Sequence, residues 1–203
     1  MKKILCFLLA CLLFVPHVYA SDQDDVYNLI KNTVDEVLVL LKDNSLDKEA
    51  KSDQFMEIIE PLFDFSLMAK LSLGKKNWPK LNEAEQKEFT DLFIKQLQNT
   101  YYDKLELFSD EKVTFEKPMA VKNKMYMELN VITKDEPLKM LYKLYQNKEE
   151  NVWKIYDLEI QDISIIKSYS SQYDQILEKE TVSDLLNKMK EKNLESNQEE
   201  NKK

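Results

Sequence analysis

The chain has 203 residues, of which 37 are acidic and 29 basic, and its formal net charge is −8 at pH 7. Every basic residue is a lysine, and the chain holds a single glycine. This composition excludes arginine clamps and glycine-rich phosphate loops, and the negative charge disfavours binding to nucleic acid or to anionic lipid surfaces.

The first twenty residues have the pattern of a secretory signal peptide. Lys2 and Lys3 are followed by an apolar run of twelve residues (4–15) and by a small-residue cleavage site ending at Ala20. The alternative is a lipoprotein signal ending at Cys11, which would expose an apolar stretch after the lipidated residue. The sequence favours cleavage after Ala20, so we predict residues 1–20 to be a signal peptide.

Cleavage after Ala20 would change the inventory of reactive side chains. It would remove both cysteines and His17, and would leave 27 lysines against 37 acidic residues, a formal charge of −10. The remaining chain would have no thiol or histidine nucleophile, no cysteine or histidine ligand for zinc, and no disulfide. Its stability must then come from a packed core.

Two helices open the remaining chain. Apolar residues recur with a helical period over 26–41, and a second helix is predicted over 47–60 with Phe55, Ile58 and Ile59 on its buried side. Pro61 ends that second helix. Both helices therefore present one apolar face to the rest of the chain.

A short helix follows, and the chain is organised around it. Asp64 stands at the N-cap position, while Phe65, Met68 and Leu73 share one helical face. Gly74 stands where a left-handed C-cap is expected, before Lys75, Lys76 and Trp78. The two lysines suit the negative end of a helix, although they are also candidates for attracting a phosphate.

The next helix is the longest predicted from the pattern. Asn82 and Glu85 have the spacing of a capping box. An apolar stripe then runs along one face through Phe89, Phe93, Leu97, Tyr101 and Leu105. Such a helix is either the spine of a bundle or the back wall of a cavity.

The period then changes from helical to alternating. Four strands are predicted: a short one at 113–115, two alternating ones that bring Met125, Met127, Leu129, Met140 and Tyr142 to one face, and a fourth over 152–160. Short connections make the sheet an antiparallel meander. A helix over 163–177 and a last short helix capped by Thr181 and Asp184 follow, and residues 190–203 are predicted to be a disordered polar tail.

Three segments, in this order and spacing, resemble the MlaC family of periplasmic phospholipid-binding proteins, also labelled toluene-tolerance auxiliary proteins. The residues that carry the resemblance are Phe63-Asp64-Phe65, Met68-Ala69, Leu73-Gly74 and Trp78; then Phe89-Thr90, Leu92-Phe93, Leu97 and Tyr101; then Trp153, Asp157, Ile163-Ser164-Ile165-Ile166, Tyr169 and Gln172-Tyr173. Together they span nearly all of the chain after residue 20.

The resemblance implies an α+β fold like that of nuclear transport factor 2 over residues 21–189, with helices on a curved antiparallel four-stranded sheet around an apolar lipid cavity. It also implies a periplasmic carrier, not an enzyme, without a cofactor, that moves phospholipid and so maintains outer-membrane lipid asymmetry. Its expected partners are an outer-membrane lipoprotein and porin complex and an inner-membrane ABC transporter complex with its substrate-binding subunit.

The predicted lipid-binding residues are the large apolar side chains of the central helix, the long helix and the sheet. They are Phe65, Met68, Leu73, Trp78, Phe89, Phe93, Leu97, Tyr101, Met125, Met127, Leu129, Met140, Tyr142 and Trp153. Methionine adapts to irregular ligands, but methionines and tryptophans on strand faces are equally typical of an ordinary core.

Two positions depart from the family pattern. Asp162 stands where the family usually has glycine, which suggests a different turn, and Ser170 stands where it usually has arginine, which removes a possible polar contact. The alternatives to a carrier are an exported hydrolase that works with carboxylates, for which Asp157 and Asp162 could pair as acid and base, and a chaperone or docking module with an open groove.

Overall fold

The computed structural model describes residues 18–106, 110–134 and 136–200. Over these residues the chain forms six α-helices: α1 (Val18–Lys42), α2 (Lys48–Ile59), α3 (Phe65–Asn77), α4 (Glu83–Glu106), α5 (Ile165–Leu177) and α6 (Val182–Glu200). A 3-10 turn (Trp78–Lys80) lies between α3 and α4. The strands are β1 (Lys112–Phe115), β2 (Met119–Val121), β3 (Lys124–Ile132), β4 (Leu138–Asn147), β5 (Val152–Ile160) and β6 (Ile163–Ser164).

The strands form one open antiparallel sheet in the order β1-β3-β4-β5-β6, with β2 also paired to β3. The four predicted strands are present as β1, β3, β4 and β5, but the predicted number is too low because β2 and β6 add two more. Strands of three and two residues are too short to show alternation. Ile163, predicted to begin a helix, instead lies in β6, and α5 begins at Ile165. The α+β class is confirmed.

One face of the sheet is apolar and faces the helices. Pairing aligns Met127 with Tyr142, and Tyr142 with Leu158, so these side chains form a row across three strands. In β5 the register shifts: Lys143 pairs with Asp157 and Leu144 with Ile155, which leaves one extra residue in β5. Such a bulge bends a strand and increases its twist, so the sheet curves there.

Asp64 caps α3, as predicted. Its Oδ1 accepts a hydrogen bond from the backbone N–H of Leu67 at 2.8 Å. The segment just before α3 lies along the edge of β5: the N–H of Asp64 donates to the carbonyl of Ile155, and the N–H of Ile155 donates to the carbonyl of Leu62. These bonds place the start of α3 beside the middle of β5.

Gly74 interrupts α3 with φ 79° and ψ 162°. The predicted positive φ is present, but this ψ lies far from the left-handed helical region, so the predicted left-handed C-cap is wrong in that respect. The observed region is open essentially to glycine alone. The chain resumes a helical turn through Asn77, so Gly74 marks a kink inside α3 rather than its end.

The C-terminal helix extends further than the sequence predicted. The capping pair is confirmed, since the N–H of Asp184 donates to Thr181 Oγ1 and Thr181 donates back to the Asp184 carboxylate. Where a disordered tail was predicted from residue 190, α6 continues to Glu200. The buried side chain of Asn193 donates to the carbonyl of Leu92 at 3.2 Å, so this polar segment is held against α4.

The predicted signal peptide lies almost entirely in residues 1–17, outside the described residues, and cleavage after Ala20 stays a prediction. Among the helices of the described part of the chain, none is long and apolar enough to cross a membrane.

The helices form two layers on the apolar face of the sheet. Helices α1, α3 and α5 contact the strands, whereas α4 packs against α2, α3 and α6 and, through aromatic side chains, against α5.

Candidate functional site

An apolar cavity of about 510 Å³ lies between one end of the sheet and the helices. Its walls come from α1, α2, the start of α3, the C-terminal half of α4 and the start of α5, and its floor from the inward residues of β3, β4 and β5. The volume is in the range of small-molecule binding sites in proteins. The cavity is therefore large enough to be a binding site rather than a packing defect.

The lining of the cavity is almost wholly apolar. All but six of the lining residues have aliphatic, methionine or phenylalanine side chains; the six are Thr33, Gln98, Tyr101, Lys104, Tyr142 and Ser168. Three of these six already have partners in the protein: Thr33 donates to the carbonyl of Leu29, Ser168 to the carbonyl of Ser164, and Gln98 to Ser52 Oγ. An apolar ligand would match this interior.

Half of the fourteen predicted residues line the cavity. They are Phe65, Met68, Leu97, Tyr101, Leu129, Met140 and Tyr142. They come from α3, α4, β3 and β4, and the fold brings them together around one space. Phe65 also stacks on Phe63, with ring centroids 5.4 Å apart, and both rings belong to the lining.

The other seven predicted residues lie outside the lining. They are Leu73, Trp78, Phe89, Phe93, Met125, Met127 and Trp153, and all pack in the main hydrophobic core. Met125, Met127 and Trp153 are on the inward face of the sheet, with Met125 and Trp153 toward the end away from the cavity. Their large apolar side chains fill space between elements that are in direct contact.

The N-terminal half of α4 packs on α5, which explains why its phenylalanines do not reach the cavity. Phe89 meets Tyr173 edge-on with ring centroids 5.4 Å apart, and Phe93 meets Tyr169 in the same way at 5.2 Å. Only the C-terminal half of the stripe, with Leu97 and Tyr101, faces the cavity. The stripe was interpreted as either the spine of a bundle or the back wall of a cavity, and in the structure its two halves divide between these two roles.

Residues of α1 and α2 were missed as site residues. The helical stripe of α1 supplies Val34, Val37, Leu38 and Leu41 to the lining, and α2 supplies Phe55, Met56 and Ile59. Their helical periodicity was visible in the sequence. Periodicity identifies the face that a helix buries, but it does not distinguish a face that covers a cavity from one that packs on another element.

The two tyrosines of the lining are in apolar surroundings. Burial raises the pKa of Tyr142 to about 12, and burial followed by the nearby Tyr169 raises the pKa of Tyr101 to about 12. Both hydroxyls are therefore protonated at neutral pH and available as hydrogen-bond donors. They are the polar groups that a ligand inside the cavity could meet.

Lys104 and Ile163 belong to the outer part of the lining. Lys104 is exposed and is the one charged side chain among the described residues that line the cavity; its Nζ lies 5.5 Å from the centroid of the Tyr101 ring. Ile163 is 63 % exposed. A lining that is apolar inside and carries one exposed cationic group suits a ligand with an apolar part inside and an anionic part outside.

The carboxylates considered for catalysis have structural partners. Asp157 is buried, accepts hydrogen bonds from Ser164 Oγ at 2.9 Å, and pairs with Lys143 Nζ at 3.2 Å. Asp162 pairs instead with Lys139 Nζ at 3.3 Å in an exposed turn, where its φ is 62°. The two acids thus serve different networks. Aspartate tolerates positive φ, so Asp162 fits the conformation for which glycine is usually used.

The fold and the cavity together define the class of protein. Helices that leave an apolar space above one face of an antiparallel sheet, with a cationic side chain in its outer lining, describe a binding protein for a ligand with a large apolar part. The sequence profile described as MlaC protein matches residues 31–191. This chain belongs to the MlaC family.

A solved structure supports the same fold. It is the phospholipid-binding protein from Ralstonia solanacearum in complex with a phospholipid. This chain superposes on it with a TM-score of 0.77 and 24 % sequence identity, over 85 % of this chain and 98 % of that one. No curated protein matches the sequence.

Proposed function

We propose that this protein is a periplasmic phospholipid carrier that holds acyl chains in the apolar cavity and the headgroup near Lys104. The observation that carries the proposal is the lining itself, which is almost wholly apolar and has its one described charge on an exposed side chain. Membership in the MlaC family and the phospholipid bound to the Ralstonia protein support it.

The hydrophobic effect accounts for a carrier of this kind. Each CH₂ group moved out of water contributes about 0.8 kcal/mol, so two long acyl chains contribute on the order of 20 kcal/mol. Spontaneous release of such a lipid into water would be too slow for transport. An apolar cavity offers the chains the same environment as a bilayer interior, so a lipid can exchange between membrane and carrier when they are brought together.

Docking to protein partners would bring the carrier close enough to a membrane for lipid to exchange. We infer that the carrier receives or delivers lipid at two complexes, an outer-membrane complex of lipoprotein and porin and an inner-membrane ABC transporter with its substrate-binding subunit, and so maintains outer-membrane lipid asymmetry. The charge of the chain supports docking to proteins, because 37 acidic residues against 29 lysines disfavour prolonged contact with anionic lipid. Neither a cofactor nor catalysis is needed for this function.

Organic extraction of the purified protein tests the proposal. The protein is expressed with its full signal sequence, recovered from the periplasm, washed, and extracted, and the extract is analysed by mass spectrometry. We expect phospholipid in stoichiometric amount. A protein that is folded by circular dichroism but carries no phospholipid, and takes up none from vesicles, would overturn the proposal and favour the hydrolase or docking alternatives.

A further inference from the structure

Tyr142 lies on the cavity floor, in the middle one of the three strands that form it. It belongs to β4 and pairs with Met127 of β3 on one side and with Leu158 of β5 on the other. Its ring is surrounded by apolar side chains, and burial raises its pKa to about 12. Within the described part of the chain, no hydrogen bond is made by its hydroxyl.

The Tyr142 hydroxyl is open to the cavity. Among the described side chains, the polar atom that is both sealed from solvent and without a partner is Nδ2 of Asn99. The unbonded hydroxyl of Tyr142 is therefore not sealed inside the core. Because its side chain lines the cavity, the cavity is the space that this hydroxyl reaches.

Two buried tyrosines that lie outside the cavity lining have partners for their hydroxyls. Tyr173 donates to Gln96 Oε1 at 2.9 Å, and the hydroxyl of Tyr169 lies 3.4 Å from Thr100 Oγ1. On the opposite face of the sheet, the hydroxyls of Tyr126 and Tyr156 lie 3.3 Å apart. A phenol left without a partner inside an apolar site is costly, and such a group calls for a ligand or a water molecule.

We propose that the Tyr142 hydroxyl donates a hydrogen bond to an ester carbonyl oxygen of the bound phospholipid. The inference rests on the proposed function, since it concerns the same cavity. Acyl chains carry no acceptor along their length, and the ester carbonyls are the acceptors covalently closest to them. Phenylalanine would line the floor equally well if only hydrocarbon had to be bound. The hydroxyl thus makes the cavity selective for ester-linked glycerolipids.

Competition between ester and ether lipids tests the inference. Delipidated protein is offered an equimolar mixture of a diacyl phospholipid and its dialkyl ether analogue, with the same headgroup and chain lengths, and bound lipid is counted by mass spectrometry. We expect the wild type to prefer the ester by about 5-fold, the ratio that corresponds to a net hydrogen bond of about 1 kcal/mol. Tyr142→Phe should bind both lipids equally.

A matched variant and the total occupancy separate the possible outcomes. Tyr126→Phe removes a phenol hydroxyl from the other face of the sheet and should keep the wild-type preference. Equal binding of ester and ether lipids by the wild type, or an undiminished preference in Tyr142→Phe, would overturn the inference and leave the carrier function intact. Absence of both lipids from the folded wild type would overturn the proposed function and the inference with it.

Discussion

The hydroxyl of Tyr145 donates a hydrogen bond to Asp64 Oδ2, joining β4 to the start of α3 across 81 positions of sequence. The other oxygen of the same carboxylate caps α3. One side chain therefore holds the helix that supplies Phe65 and Met68 to the cavity and also ties that helix to the sheet. Loss of the Asp64 carboxylate would therefore remove both bonds at once.

Replacing Asp64 by alanine should lower the free energy of unfolding by about 2–4 kcal/mol, because the change removes an N-cap and a hydrogen bond to a carboxylate. Asp47→Ala is the matched control. Asp47 caps α2 through the N–H of Ala50 at 2.8 Å, and its loss should cost about 1 kcal/mol. Urea unfolding of both variants measures the difference, and equal losses would show that the Tyr145 bond contributes nothing.

The free energy of unfolding should decrease at alkaline pH because buried tyrosine hydroxyls ionise. Burial raises the pKa of Tyr101, Tyr142 and Tyr145 from 10.0 to about 12, with a further contribution from Asp64 for Tyr145. The folded protein holds these protons more tightly than the unfolded chain. The stabilisation is therefore complete below about pH 10 and is lost as the pH rises to about 12.

Thermal midpoints between about pH 8 and pH 12 measure this loss, and phenolate absorbance reports the titration. Tyr142→Phe should show a shallower decline than the wild type, because one raised pKa is gone. If Tyr101, Tyr142 and Tyr145 ionised near the ordinary pKa of 10.0, the assigned burial of these hydroxyls would be contradicted.

Substitution of Gly74 should destabilise the protein through the backbone alone. A Cβ built at this position meets no heavy atom within 4 Å, so there is no steric clash with neighbours. The φ of 79° and ψ of 162° still cost other residues about 1–3 kcal/mol. Gly74→Asn is informative, because asparagine tolerates the left-handed helical region but not this one. Thermal unfolding should show Gly74→Ala and Gly74→Asn equally destabilised, and rescue by asparagine would point to a left-handed cap instead.

Two bulky substitutions should distinguish residues that line the cavity from residues that only pack in the core. Leu97 lines the cavity, so Leu97→Trp should reduce bound phospholipid while the domain stays folded. Met127 is fully buried in the core beside it, so Met127→Phe should lower stability by about 1–3 kcal/mol and leave lipid occupancy unchanged. Circular dichroism checks folding and mass spectrometry counts the lipid. Full occupancy in folded Leu97→Trp would place the acyl chains elsewhere.

The local signals in the sequence predicted the local structure well. The capping box is present, with the N–H of Glu85 donating to Asn82 Oδ1 and the N–H of Asn82 donating to the Glu85 carboxylate. The cap at Asp64 and the inward alternation of β3 are also observed. These features depend on residues two to four positions apart, so they can be predicted from a short stretch of sequence without knowledge of the tertiary structure.

The short strands and the backbone at Gly74 were less accessible to prediction. A two-residue strand such as β6 exists because Glu159 and Ile160 pair with it, and nothing in its own pattern distinguishes it from the first turn of α5. Likewise a lone glycine predicts a positive φ, but its ψ depends on where the following turn has to lead the chain.

What only the tertiary structure decided is which buried residues face a cavity. Phe93 and Leu97 lie one helical turn apart on the same stripe of α4, yet Phe93 packs on Tyr169 and Leu97 faces open space. The sequence by itself determined that both are buried, because periodicity records which face of a helix avoids water. Whether another side chain or an empty volume lies opposite depends on how far the neighbouring elements stand apart, and that distance is set by packing between residues distant in sequence.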